Sequence, residues 1–256
     1  MKKVFSPFES LSEGTRKTIM LAFIGIVIGL WGLTSLDNVH IFPSLSQVLT
    51  GFSELYTDGL IVHVFSSLAL FLKATIISII VSLILCYSYP ISAFKPLSIF
   101  VSKLRYLPLT GISFYISILI NDARAIQTAI LSVFMITFLT TSLLQMLTDI
   151  PEEELDHART LGCNRWEILL EVVIKGRLDY VFEMVRQNLA MVWVTLVTVE
   201  SILAAAGGLG FLIKNNDKLG DNGKIIALQI IILLIGIGLD FILTKLRKLI
   251  FRYSNF

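Results

Sequence analysis

Three ionisable residues, Lys73, Glu200 and Asp240, stand inside long apolar stretches of the chain. On insertion scales a lysine or aspartate at the centre of a hydrocarbon layer costs about 2.5–3.5 kcal/mol, so such residues pair, bond to backbone or face water. Lys73 is expected to face the helix bundle or a polar path, with Glu200 as its candidate partner. Glu200 itself is expected at a gate or an inter-subunit contact, and Asp240 in a structural ion pair with Lys245. The remaining reactive groups are poor material for catalysis. His40, His63 and His157 lie far apart without metal-ligand spacing, and Cys86 and Cys163 read as unpaired thiols. No metal, cofactor or catalytic residue is therefore expected. Nor does the chain hold a Gly-x-x-x-x-Gly-Lys-Ser/Thr loop, because Gly223-Lys224 lacks both the leading glycine and the following hydroxyl. It has no phosphate cradle of that kind for ATP.

A second group of residues has the types that line a polar path. Pro108 and Gly111 interrupt an apolar stretch, and Tyr106, Thr110, Ser113 and Tyr115 surround them. Broken helices are tolerated at membrane depth where they border a cavity or are buried in protein. Trp193, Thr195 and Thr198 precede Glu200 on another stretch and are candidates for the same lining. Gly25 and Gly29 have the small-xxx-small spacing of helix packing, while Gly208 and Gly210 suggest a turn outside the membrane.

The third feature is a polar segment at 149–177. Asp149 followed by Glu152 reads as a capping box, with Pro151 in the first turn and Glu152, Glu153 and Glu154 at the positive end of a helix dipole. Leu155, Ala158 and Leu161 recur at helical spacing, and Gly162 suits the left-handed residue that ends a helix. Asn164 with Glu167 opens a second helix. The segment is expected to form two short helices joined by a glycine turn at a membrane surface.

The elements that must position these residues follow from composition. Hydrophobic residues make up 55% of the chain, charged residues 16%, and mean hydropathy is +0.81. These values exclude an ordinary soluble domain, and no basic patch with interleaved aromatics points to nucleic acid. The expected fold is all-α, an integral membrane protein with six transmembrane helices at about 18–36, 61–90, 99–120, 124–147, 181–205 and 224–247. Each has roughly the 20 residues needed to cross about 30 Å of hydrocarbon. Residues 1–17 are expected as an N-terminal cytoplasmic segment, with the first apolar run an uncleaved helix, and 18–256 as the membrane domain. Placing both termini in the cytoplasm puts 16 of the 21 Lys and Arg inside and 4 outside, with Lys73 in a helix. That asymmetry predicts the orientation.

The stretch LDHARTLGCNRWEILLEVVI resembles the EAA loop of binding-protein-dependent ABC permeases, in their nitrate/sulfonate/taurine branch. Similar in the same order are Ile41-Phe42-Pro43-Ser44 with Gln47-Val48, Lys73, Arg105 with Pro108, Glu200, Gly208-Leu209-Gly210-Phe211-Leu212-Ile213 and Asp240. The Glu-Ala-Ala of the family stands here as Asp156-His157-Ala158, and its later proline as Gly176. Its small and aromatic residues at the outer end of the third helix are replaced by Leu119-Ile120-Asn121-Asp122-Ala123-Arg124.

This resemblance implies a bacterial inner-membrane permease importing a small polar solute such as an oxyanion, a sulfonate or a vitamin-precursor heterocycle. It implies Leu155, Asp156, His157, Ala158, Leu161 and Gly162 as the contact with a cytoplasmic ATPase. The implied partners are a second, identical permease subunit, two ABC ATPases, an external substrate-binding protein and the lipid bilayer, with no nucleic acid. Two other readings stay open on the residues alone. One is an ion-coupled secondary transporter using Lys73, Glu200 and Asp240, although the internal repeats usual in that class are missing. The other is a membrane scaffold whose loop docks a partner.

Overall fold

Eleven α-helices and short 3-10 and π segments account for the fold, in a computed structural model that describes residues 12–34 and 43–251. No strand occurs among the described residues. The helices are α1 (Glu13–Thr34), α2 (Leu45–Thr57), α3 (Leu60–Ser88), α4 (Lys95–Lys103), α5 (Leu109–Leu119) and α6 (Ala123–Thr148). They continue as α7 (Glu152–Thr160), α8 (Arg165–Ile168), α9 (Leu178–Ile202), α10 (Leu209–Leu219) and α11 (Asn222–Ile250). Three of them, α3, α6 and α11, are long and apolar enough to cross a membrane. The expected first helix ends beyond Thr34, and that end, His40, the Ile41-Phe42 part of the motif and residues 1–11 and 252–256 lie outside the described residues.

α6 is the central helix. Half of its most apolar stretch is buried, against 11% for α11. Its neighbours approach closely because small side chains stand at the contacts. Ser78 on α3 donates to Ala74 O at 2.7 Å and to Ser132 O of α6 at 3.2 Å. Ser98 on α4 donates to Leu85 O at 2.7 Å, and Thr141 on α6 to Ser102 O at 3.2 Å. Leu131, Met135, Leu139 and Leu143 then fill the core with Leu196 and Leu189 of α9.

Two helices were not expected from the sequence. α2 starts at a capping box in which Ser44 Oγ accepts from Gln47 N at 3.3 Å and Gln47 Oε1 accepts from Ser44 N at 2.8 Å. It packs against the start of α11 through glycines, because a Cβ on Gly223 would lie 2.8 Å from Gln47 O. Lys224 reaches back from α11 to Glu54 at 3.1 Å and Asp58 at 3.0 Å. The other, α10, occupies residues expected to form a turn. Both are short and amphipathic, and a search for apolar runs of membrane length passes over such helices.

The stretch expected as one helix at 99–120 is two. α4 passes through a 3-10 turn at Leu104–Tyr106, and α5 begins after Pro108. Leu107 is extended there, at φ −74 and ψ 130, the conformation that a following proline favours. Gly111 does not contribute to the break and lies within α5. Among the described residues nothing lies within 4 Å of a side chain at Gly25 or Gly29, so no described helix packs on the small-residue face of α1.

Gly223→Val is expected to destabilise the α2–α11 contact by about 1–3 kcal/mol, the usual penalty of overpacking. Gly29→Val meets open space and is expected to leave the single chain's melting unchanged. Thermal unfolding of the detergent-solubilised variants checks both; equal melting of Gly223→Val and the parent would remove the glycine contact as a determinant.

Candidate functional site

Glu200 is the centre of the polar chemistry in the bundle. Its side chain has 0% exposure, two residues before α9 ends. Ser67 Oγ of α3 lies 2.8 Å from both carboxylate oxygens, and Gly210 N donates to Oε2 at 3.0 Å. Arg124, in the first turn of α6, is 3.8 Å away. A buried carboxylate is tolerable only when its oxygens are satisfied in this way.

The backbone beyond α9 is shaped around that carboxylate. Gly207 and Gly208 take φ of 75° and 110°, which side chains rarely adopt. A Cβ on Gly208 would fall inside the Glu200 carboxylate, and one on Gly210 would overlap Val197 O. The turn is tied to two other helices. Gly208 N donates to His63 Nδ1 at 3.1 Å, Leu209 N donates to Ser67 Oγ at 2.9 Å, and the His63 ring stacks on Phe211. From α6, Arg124 donates to Ala206 O at 3.0 Å and to Ser66 Oγ, and Gln127 Nε2 donates to Leu203 O at 2.8 Å. α10 is thereby locked to α3, α6 and α9.

The expected Lys73–Glu200 pair does not form within the chain. Lys73 is exposed on α3 and has no ion pair among the described residues, while Glu200 is held by Ser67, Gly210 and Arg124. Lys73 lies six residues beyond Ser67 on α3, about 9 Å further along the helix axis. Asp240 also has a different partner. It pairs with Arg186 of α9, whereas Lys245 lies over the Phe241 ring. Arg186 joins Glu183 at 2.6 Å, and Glu183 joins Arg247 at 2.8 Å, so four charges form one network between α9 and α11. An i,i+5 spacing does not favour contact on a helix, which is the reason Asp240 reaches across instead.

The residues proposed for a path are distributed unevenly. Tyr106, Pro108, Thr110 and Tyr115 are exposed along α5 and its approach, and Ser113 is half-buried. Trp193 is a core residue at 4% exposure, donating to Ile232 O at 3.0 Å and packing edge-on to Phe71. Thr195 and Thr198 each bond to the carbonyl four residues back on α9. A cleft of about 590 Å³ between α9 and α11 is bordered by Trp193, Thr198, Gln229 and Gly236, with Arg186 and Asp240 also on its wall.

The 149–177 segment forms the two helices expected of it, with a different start. Pro151 is the N-cap of α7 and no side chain caps it, so Asp149 and Glu152 form no capping box. The proline holds an extended N-cap at ψ 138 and moves the helix start past Asp149. At the other end Gly162 takes φ 84, Gly162 N donates to Arg159 O at 3.0 Å, and Cys163 N donates to Ala158 O at 3.2 Å. These are the paired bonds of a Schellman ending. Asn164 and Glu167 do form a capping box.

Arg177 Nη2 bonds Glu154 at 2.5 Å and ties α7 back to the bundle. Ala158 is buried, while Leu155 is half-buried and Asp156 and His157 are exposed. Leu161 and Trp166 are 73% and 64% exposed on either side of the glycine turn. The connection to α9 runs through a π segment at Leu169–Ile174 and a 3-10 turn at Lys175–Arg177. Sequence reasoning also missed Arg124, Ser67, His63 and Gln127. The available signal was an arginine opening an apolar run behind the cap Asp122.

Comparison with known proteins places this geometry. The family described as "Binding-protein-dependent transport system inner membrane component" matches residues 25–252. A protein named as a candidate ABC transporter permease of Methanocaldococcus jannaschii is 33% identical over 91 residues, 36% of this chain and 34% of that protein. The nitrate import permease protein NrtB of Synechococcus elongatus is 27% identical over 107 residues, 41% and 38% of the two chains. The matched regions thus span little more than a third of the length of these relatives. Among solved structures, a chain of the inward-facing MetNI methionine ABC transporter shares the fold, with a TM-score of 0.61 at 16% identity over 74% of this chain and 94% of that one.

Removing Glu200 takes the acceptor from Ser67 Oγ and Gly210 N and the counter-charge from Arg124, so Glu200→Ala is expected to destabilise by roughly 3–5 kcal/mol, as breaking a buried pair does. Glu200→Gln keeps an acceptor oxygen and is expected to be milder. Thermal melting with limited proteolysis across 203–210 checks this order, and equal effects of the two variants would contradict the hub described above.

Proposed function

We propose that this chain, which belongs to the family of binding-protein-dependent transport-system inner-membrane components, is the permease subunit of an ATP-driven importer. The observation that carries this reading is the α7–α8 element. It is a short helix held by Arg177–Glu154, ended by Gly162 and carrying exposed Leu161 and Trp166. Solvent-exposed leucine and tryptophan on a rigid tip mark a contact surface for another protein. The chain has no phosphate-binding loop of its own, so the contact is assigned to a cytoplasmic ATPase. Leu155, Asp156, His157, Ala158, Leu161 and Gly162 form this coupling element, and closure of two ATPases rocks two permease subunits between inward- and outward-facing states.

Six spans with both termini in the cytoplasm fit this reading. α1, α3, α6, α9 and α11 supply five, and the broken pair α4 and α5 supplies another. The solute is small and polar, of the oxyanion, sulfonate or vitamin-precursor kind, delivered from outside by a binding protein. The nitrate permease among the relatives supports that class. Tyr106, Thr110, Ser113 and Tyr115 on the α5 side and Thr195 and Thr198 on α9 are the lining of the path, and Glu200 sets the turn that closes its outer end. An ion-coupled secondary transporter is less well supported, because Glu200 and Asp240 are both committed to structural bonds.

Two measurements test the reading. Purification from its own host should bring down an ATPase whose hydrolysis responds to a binding protein. Gly162→Val places a side chain at φ 84 with nothing from this chain within 4 Å. It strains the backbone by roughly 1–2 kcal/mol and should leave the protein inserted while weakening ATPase association or uncoupling hydrolysis from transport. A Gly162→Val complex that keeps its ATPases and transports normally removes the coupling role. For orientation, a cysteine at Asn164 should resist an impermeant thiol reagent added outside intact cells, and efficient labelling there would reverse the topology.

A further inference from the structure

We infer that one face of α3, carrying Lys73 below the Arg124–Ser66 contact, lines the water-filled path and selects anionic solutes. The inference rests on the permease reading above and adds the residues that set solute charge. Lys73 lies 13 residues from the start of the 29-residue α3. At about 1.5 Å per residue it is roughly 20 Å from either end of the helix. Lysines near helix ends reach the interface along their own side chains, but one at mid-depth needs water or a partner. Among the described residues no carboxylate pairs with Lys73, and its side chain is exposed on α3. Two of the acids drawn into the bundle are already engaged, Glu200 with Arg124 and Asp240 with Arg186.

Arg124 borders the same face, with its charge matched by Glu200. Ser66 stands seven residues before Lys73, two turns up the helix and about 10 Å along its axis. Arg124 donates to Ser66 Oγ and keeps a third of its side chain exposed, at 33%, while its carboxylate neighbour Glu200 is 0% exposed behind it. The face therefore presents Arg124 first and Lys73 deeper, with Val62, Ala69, Ile77 and Ile80 between and around them and no acid among them. Among the described residues Lys73 is the unmatched charge on this stripe, and it raises the local concentration of anions and disfavours cations.

Ala69 and Ile77 flank Lys73 by one helical turn on either side, and both are outside the buried core. In the complete complex with its ATPases, and with Cys86 and Cys163 replaced by serine, each position is changed in turn to cysteine. Labelling rates are then measured with a sulfonate-bearing and a trimethylammonium-bearing methanethiosulfonate, with and without ATP. The expected result is labelling at both positions, faster for the anionic reagent by about ten-fold, the ratio equivalent to 1.4 kcal/mol. Lys73→Met should abolish that preference and Lys73→Arg should retain it. No labelling at either position in any state, in a complex that still hydrolyses ATP, places the face against lipid and overturns the inference while leaving the permease reading intact. Labelling indifferent to reagent charge, or to Lys73→Met, also overturns it. Failure of the permease reading would show separately, as absence of any co-purifying ATPase.

Discussion

A carboxylate without exposed surface constrains more of this molecule than any apolar contact does. Glu200 can sit at the end of α9 only if donors converge on it, and the donors come from three different places in the sequence. Ser67 brings α3, Arg124 brings α6, and the amide of Gly210 brings the chain back onto α9 itself. The return is possible because Gly207 and Gly208 take positive φ and because no Cβ intrudes on the carboxylate. α10 then inherits a fixed position. Ser67 serves twice, donating to Glu200 and accepting from Leu209 N, so the helix contact and the turn stand or fall together.

The apolar core has a different logic. Between helices in a membrane there is little hydrophobic driving force, and close approach of small residues supplies the contact instead. Ser78, Ser82 and Ser98 are fully buried around α3, α4 and α6, each bonding to a backbone carbonyl. Gly51 and Gly223 let α2 lie against the start of α11. Large apolar side chains remain exposed on α1, α5 and α11, among them Phe23, Phe114, Leu119 and Leu233. In a family of inner-membrane transport components these faces meet lipid or other subunits, and their exposure in the single chain needs no separate explanation.

The two ends of α9 are anchored differently. One end is locked by the Glu200 hub. The other enters through a π segment and a 3-10 turn, an irregular stretch next to the α7–α8 tip. Single-turn π segments weaken the regular ladder and frequently mark places where a helix adjusts. The charge network of Glu183, Arg186, Asp240 and Arg247 lies just beyond, joining α9 to α11. The irregular stretch and the network together tie the α7–α8 tip to both α9 and α11.

Several features needed no coordinates. Long uncharged runs mark α3, α6 and α11, because a hydrocarbon layer imposes both the length and the composition of a helix that crosses it. Pro108 opens α5 and leaves Leu107 extended because its ring disfavours a helical conformation in the preceding residue. Gly162 and the Asn164–Glu167 box were legible because their geometry depends on residues within one turn. The partners of the intramembrane charges were not legible. Lys73 and Glu200 are the obvious opposite charges in the sequence, yet Arg124 takes the acid because helix packing brings the start of α6 beside it and leaves Lys73 on an open face. Asp240 likewise finds Arg186 on another helix rather than a lysine on its own. α2 and α10 were missed because their helical character depends on the surfaces they cover, not on an apolar run of their own. Local chemistry determined the caps and turns, and apolar length the long helices. Which charges meet was decided only when the helices packed, since the distance between side chains far apart in sequence is set by tertiary contact alone.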